Sequence, residues 1–239
     1  GASKDADTCF NIIMGCNSGA ALCGGYGHSI LMGCHAGKSI TTGGYNFLFG
    51  KRTGCSIDTG NSNVLIGNSL ATTLTTGCKN VILGNSAGQS LGASACCNFI
   101  VGNEAGYNLT GNSNIVMGAQ AGCDLTGKDN ILLGYVAGAE MTSGCYNIAF
   151  GKCAMGSGTV TGNGNVILGN EVAKSSTITG TSNVLIASAM NSLTSGSHNI
   201  VMGASAGEMI DDDSHNIFLG SRAGQNTRTG HNIFLGCDA

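Results

Sequence analysis

The chain has 239 residues, 41 of them glycine and none proline, and carries a net charge of −3. That balance leaves no basic footprint for nucleic acid. No apolar run reaches the ~18 residues of a membrane-spanning helix, and glycine without a triplet period excludes collagen. Only 10% of residues are charged, against roughly 25% in ordinary soluble domains, so much of the outer surface is expected to be covered by other subunits.

One unit recurs along the whole chain, seen at its clearest in Asn80-Val81-Ile82-Leu83-Gly84-Asn85-Ser86-Ala87-Gly88. In chain order its copies begin at Asn11, Ser29, Asn46, Asn63, Asn80, Asn98, Asn114, Asn130, Asn147, Asn165, Asn183, Asn199, Asn216 and Asn232, fourteen copies at spacings of 16 to 18 residues. A period this short is a solenoid signature. The expected fold is all-β: a parallel β-solenoid of fourteen stacked β-arches with uncapped ends, residues 1–239 forming a single repeat domain.

Taking the asparagine as position zero, position one is β-branched or phenylalanine in every copy, from Ile12 to Ile233, which is strand chemistry. Position three is always large and apolar, and in a strand it shares a face with position one. These two are predicted to form the inner wall of the coil. Position two points the other way and is also apolar: Ile13, Leu31, Leu48, Leu65, Ile82, Ile100, Val116, Leu132, Ile167, Leu185, Val201, Phe218 and Phe234, with Ala149 in the ninth copy. A strand apolar on both faces is buried on both, so position two needs a second layer, either another part of the same rung or another chain, and is taken as the lateral interface of an oligomer.

Glycine follows at position four in thirteen copies, Ala187 being the exception, and at position eight in nine. These mark sharp bends. A second short strand and a Thr-Gly turn, as in Leu74-Thr75-Thr76-Gly77, complete the unit. Between Lys152 and Asn191 the glycines lapse, and a bulge or widened coil is expected there. The asparagines Asn11, Asn46, Asn63, Asn80, Asn98, Asn114, Asn130, Asn147, Asn165, Asn183, Asn199, Asn216 and Asn232 are expected to stack as an amide ladder, as in cross-β structures.

The two ends are in phase. The chain stops at Gly236-Cys237-Asp238-Ala239, positions four to seven of a unit, and Gly1 fits position eight. Joining Ala239 to Gly1 of a second copy sets Asn232 and Asn11 18 residues apart, within the internal range, and Cys9 then repeats the place of Cys96. Copies are expected to add end to end through this seam, as a filament or a closed ring; the other reading is a piece of a longer repeat protein.

The twelve cysteines fall into columns. Cys16 and Cys34 share position five on neighbouring rungs, where Cys237 also stands, and Cys78 and Cys96 share the place two residues before the asparagine. Equivalent Cα atoms about 4.8 Å apart lie within disulfide range. Cys16–Cys34, Cys78–Cys96 and a Cys237–Cys16 bridge across the seam are candidate disulfides, the alternative being free thiols. His28, His198, His215 and His231 form a column before position zero, read as an exposed polar turn. Asp211-Asp212-Asp213 reads as a solvated turn. There is no C-x-x-C spacing for zinc and no nucleophile with its base, so no metal, cofactor, small-molecule substrate or catalysis is expected.

The unit N-[IV]-x-[LMI]-G-x-x-A-G with Thr-Gly turns resembles the head repeats of trimeric autotransporter adhesins and repeats of phage tail fibres. That resemblance implies a homotrimer binding a cell surface, but no coiled-coil stalk, anchor or tip accompanies it, and twelve cysteines are out of character. The cysteine-bearing, low-charge array with complementary ends is similar in character to the amyloid-like sheath protein of filamentous methanogenic archaea. This second resemblance implies subunits joined end to end into hoops that stack as a resistant tube. The function expected is therefore a structural protein at the cell envelope surface, whose partner is itself, assembling into an extracellular sheath or filament.

Overall fold

The computed structural model describes residues 10–23, 27–156, 158–173, 177–187 and 194–239, which contain no helix. They form an all-β parallel solenoid, as the repeat predicts. The chain divides into two compact units, residues 1–120 and 121–239, each with seven strands. In the first unit β1 (Ile12–Met14), β2 (Ile30–Met32), β3 (Phe47–Phe49), β4 (Val64–Asn68), β5 (Val81–Asn85), β6 (Phe99–Val101) and β7 (Ile115–Met117) each pair in parallel with the next. In the second, β8 (Ile131–Leu133), β9 (Ile148–Phe150), β10 (Val166–Leu168), β11 (Val184–Ile186), β12 (Ile200–Met202), β13 (Ile217–Leu219) and β14 (Ile233–Leu235) do the same. Register is position on position: Ile82 lies between Leu65 and Ile100.

Twelve of the fourteen strands are three residues long, and position four takes φ of +125° to +149° wherever it is glycine. A Cβ on Gly50 or Gly67 would meet the carbonyl oxygen of the next rung's glycine at 1.7 Å. Only glycine lets rungs stack this closely at that corner. At Ala187 φ falls to +71°, and the oxygen facing Gly169 retreats to 3.2 Å, against 2.6 Å or less at the other stacked position-four glycines.

The lapse of glycine between Lys152 and Asn191 does not widen the coil at its strands. Met155 and Ala173 take φ of +53° and +50° at position eight, matching the glycines of other rungs, and β9, β10 and β11 stay in register. Residues 157, 174–176 and 188–191 of that stretch lie outside the described residues. The second segment of each rung is also plainer than predicted. It forms isolated bridges at Met141–Val160 and Val160–Ile178. Elsewhere inter-rung bonds converge on one carbonyl, Thr41 and Gly43 N–H both reaching Asp58 O, at 3.0 and 3.3 Å, and Asp58 and Gly60 N–H both reaching Thr75 O, at 2.9 and 3.2 Å.

The faces of the strand are the reverse of the prediction. Leu31, Leu48, Leu65, Ile82, Ile100, Val116, Leu132, Ile167, Leu185, Val201 and Phe218 are fully buried inside the coil of one chain. Ile13 and Phe234, on the first and last rungs, are half-buried. Position two is therefore core, not a lateral interface. It packs against the position-seven alanines and the apolar residues of the second segment: Ile40, Leu48 and Leu31 all close on Gly37, and Ile57, Leu65 and Leu48 on Gly54. The physical reason is the period of two. Position two shares a face with the asparagine at position zero, which is at most 1% exposed from Asn46 to Asn216. Each such side chain contributes about 1.5–3 kcal/mol by burial.

Candidate assembly interface

With position two inside, positions one and three carry the outward face. Phe99, Ile115, Met117, Ile200 and Met202 stand 37–40% exposed, Phe49 48% and Phe150 56%. No strand residue is charged. In each unit this makes a stripe two apolar side chains wide, repeated rung by rung in register. A contiguous exposed apolar patch of this kind marks an interaction surface. Position −1 flanks the stripe. It holds a left-handed backbone in every described rung, with φ between +57° and +69°, and leaves Tyr45 and Tyr146 more than half exposed. The predicted histidine column lies here: His198, His215 and His231 stack with ring centroids 5.0 and 4.9 Å apart, and His28 stacks on Tyr45 at 5.2 Å.

Behind the stripe runs the amide ladder. Within the first unit from Asn63 to Asn114, and within the second from Asn147 to Asn232, each Asn Nδ2 donates to Oδ1 of the preceding asparagine at 3.0–3.3 Å. From Asn46 to Asn98 and from Asn130 to Asn199 the Nδ2 also donates, at 2.8–3.0 Å, to the carbonyl closing its own rung, as Asn80 does to Ala95 and Asn165 to Gly180. Within each unit the Oδ1 further accepts the next rung's backbone N–H, Asn98 N–H reaching Asn80 Oδ1 at 3.0 Å. Ser29 takes over only part of this role, its Oγ accepting the Asn46 N–H at 3.1 Å. At the first rung, Asn11 Nδ2 is buried with no partner among the described residues.

Every described cysteine is a free thiol. The structure brings one candidate pair together: Cys78 Sγ lies 3.1 Å from Cys96 Sγ. It does not bond Cys16 to Cys34, whose Sγ instead lies 3.5 Å from His35 Nδ1. Of the seam residues, Gly1 and Cys9 lie outside the described residues. Ala239 O accepts the Gly224 N–H at 2.9 Å, while Gly236 faces open space where its equivalents face the next rung. Cys237 Sγ donates to Asp238 Oδ2 at 3.2 Å. The Asp238 carboxylate also receives the Arg222 guanidinium from the rung before. Those hydrogen bonds, Arg222 first, hold Asp238 down at about 2 and push Arg222 up.

Two features escape a reading of the repeat. One is which apolar face points out. The burial of the asparagines carries that signal, since an internal amide ladder commits position two to the inside. The other is the left-handed backbone at positions −1 and six. No residue type marks these places: Phe10, Lys79 and Tyr146 fill the first, and Arg52, Glu104 and Val136 the second. The chain matches no protein-family model, and no curated protein or solved structure matches it.

Proposed function

We propose that the protein is a structural subunit that self-assembles, packing laterally through the outward stripe and adding end to end through its in-register rungs, into an extracellular sheath or filament. The outward stripe carries this reading. A second copy of the same chain is the occupant that fits it, because only another in-register solenoid repeats its side chains at the same ~4.8 Å rise. At about 50–80 Å² for each partly exposed side chain of ~200 Å², two per rung over seven rungs come to roughly 700–1,100 Å². A stable interface needs about 800 Å² per partner. End-to-end addition is supported by the register of the rungs, which pair position on position and share one glycine corner.

Sedimentation and electron microscopy of the wild type beside a Phe99→Lys, Ile115→Lys variant test the reading. The wild type is expected to form filaments or sheets, and the variant to remain small with an unchanged far-ultraviolet spectrum. Unaltered assembly by the variant would refute it. A discrete threefold particle that does not grow would support a trimeric adhesin-like or fibre-like subunit instead.

A further inference from the structure

A second ladder runs two residues before the asparagines. Cys96 N–H donates to Asn112 Oδ1 at 2.8 Å, Cys145 N–H to Asn163 Oδ1 at 2.7 Å, and Thr181 N–H to Ser197 Oγ at 2.9 Å. A side-chain acceptor on one rung thus receives the N–H of the rung before. Where β5 passes to β6 that acceptor is sulfur. Cys78 N–H donates to Cys96 Sγ at 3.1 Å, and the two Sγ atoms are themselves 3.1 Å apart.

The backbone around the pair is held in place. Lys79 N–H bonds Asn61 O at 3.1 Å and Cys97 N–H bonds Cys78 O at 3.0 Å, while the following strands lie in register. In-register parallel neighbours sit about 4.8 Å apart, inside the ~4.4–6.8 Å Cα range of a disulfide. Closure therefore asks for side-chain movement of about 1 Å, to the ~2.05 Å of an S–S bond. Both thiols are half-buried, so a small reagent reaches them.

We infer that Cys78 and Cys96 are a redox-reactive pair that a small disulfide, such as oxidised glutathione, closes into a staple between consecutive rungs. Cys96, whose Sγ lies 3.1 Å from Cys78 Sγ and accepts the Cys78 N–H, acts first and gives its proton to water. It attacks one sulfur of the small disulfide, the reagent's S–S bond breaks, and one glutathione thiolate leaves and takes up a proton. Cys78 then gives its proton to water and attacks Cys96 Sγ, expelling the second glutathione. Two cysteine thiols are oxidised by two electrons and one disulfide is reduced to two thiols. The order follows from Cys78, whose pKa is raised chiefly by the hydrogen bond to Cys96 and then by burial. It keeps its proton until the mixed disulfide has formed.

The test is to treat the native chain with oxidised glutathione, block remaining thiols by alkylation, and map peptides by mass spectrometry. Cys78 and Cys96 are expected to be linked before any other pair, with the loss of two hydrogens. Cys97→Ser is expected to keep the link, and Cys78→Ser to stop at a Cys96–glutathione adduct. The oxidised wild type should unfold at a higher denaturant midpoint than the reduced one, a difference absent from Cys78→Ser. Alkylation of both Cys78 and Cys96 after more exposed thiols have reacted, or glutathione on both without a link, would overturn the inference. None of these readouts depends on assembly.

Discussion

At the scale of the residue, each rung turns on four positive-φ positions: −1, four, six and eight. The glycines at four and eight are legible as bends. Positions −1 and six are not, because inter-rung bonds hold ordinary residues there, His35 N–H reaching Cys16 O at 2.8 Å and Glu104 N–H reaching Asn85 O at 3.0 Å. A left-handed conformation costs an L-residue about 1–2 kcal/mol, and asparagine tolerates it best after glycine. Val136, β-branched at φ +58°, is the most strained case. Val136→Asn is expected to stabilise the chain by about 1 kcal/mol, seen as a higher midpoint in denaturant unfolding. Asn80→Ala should act the other way. It orphans the Ala95 carbonyl and two donors of Asn98, at about 1–3 kcal/mol for each buried group left unpaired. The Arg222–Asp238 pair has a pH signature: Asp238, held at about 2, keeps its bond above the ordinary carboxylate range and loses it as pH falls through about 2. Titration of its carboxyl resonance checks this, and Arg222→Gln should return it toward about 3.9.

At the scale of the element, the strand is apolar on both faces for two different reasons. Its inward face fills the coil together with Ala87 and Leu91, all fully buried. Its outward face is half-buried to exposed among the described residues. Substitutions on the two faces of neighbouring strands should therefore separate stability from association. Ile82→Ala, in β5, is expected to cost about 2–5 kcal/mol in chain unfolding through the cavity it leaves. Phe99→Lys, in β6, removes an exposed side chain, so the unfolding midpoint should barely move while sedimentation shifts to smaller species. The presence of two apolar faces was legible in the repeat. Which one faces out was not legible from positions one to three alone, since Ile82 and Phe99 are equally good strand residues.

At the scale of the whole molecule, 10 basic and 13 acidic residues among 239 leave little charge to direct assembly. Under the proposed function, assembly through the stripe is expected to survive high sodium chloride and to strengthen in sulfate, as burial rather than ion pairing would drive it. Light scattering across the two salts measures this. Dissociation by sodium chloride would point to the charged turns instead.

Read alone, the sequence determined the parallel β-solenoid, its fourteen strands, the glycine corner and the asparagine column, because a rung repeated every 16–18 residues has few ways to bury its apolar positions. Only the tertiary structure decided the polarity of each strand. Burial of the amide ladder turns position two inward, and the period of two then turns positions one and three out. It also decided which thiols meet. A column in sequence states that two cysteines share a place on neighbouring rungs, while the turn geometry around each rung sets the direction of their sulfurs, bringing Cys78 to Cys96 and Cys34 to His35.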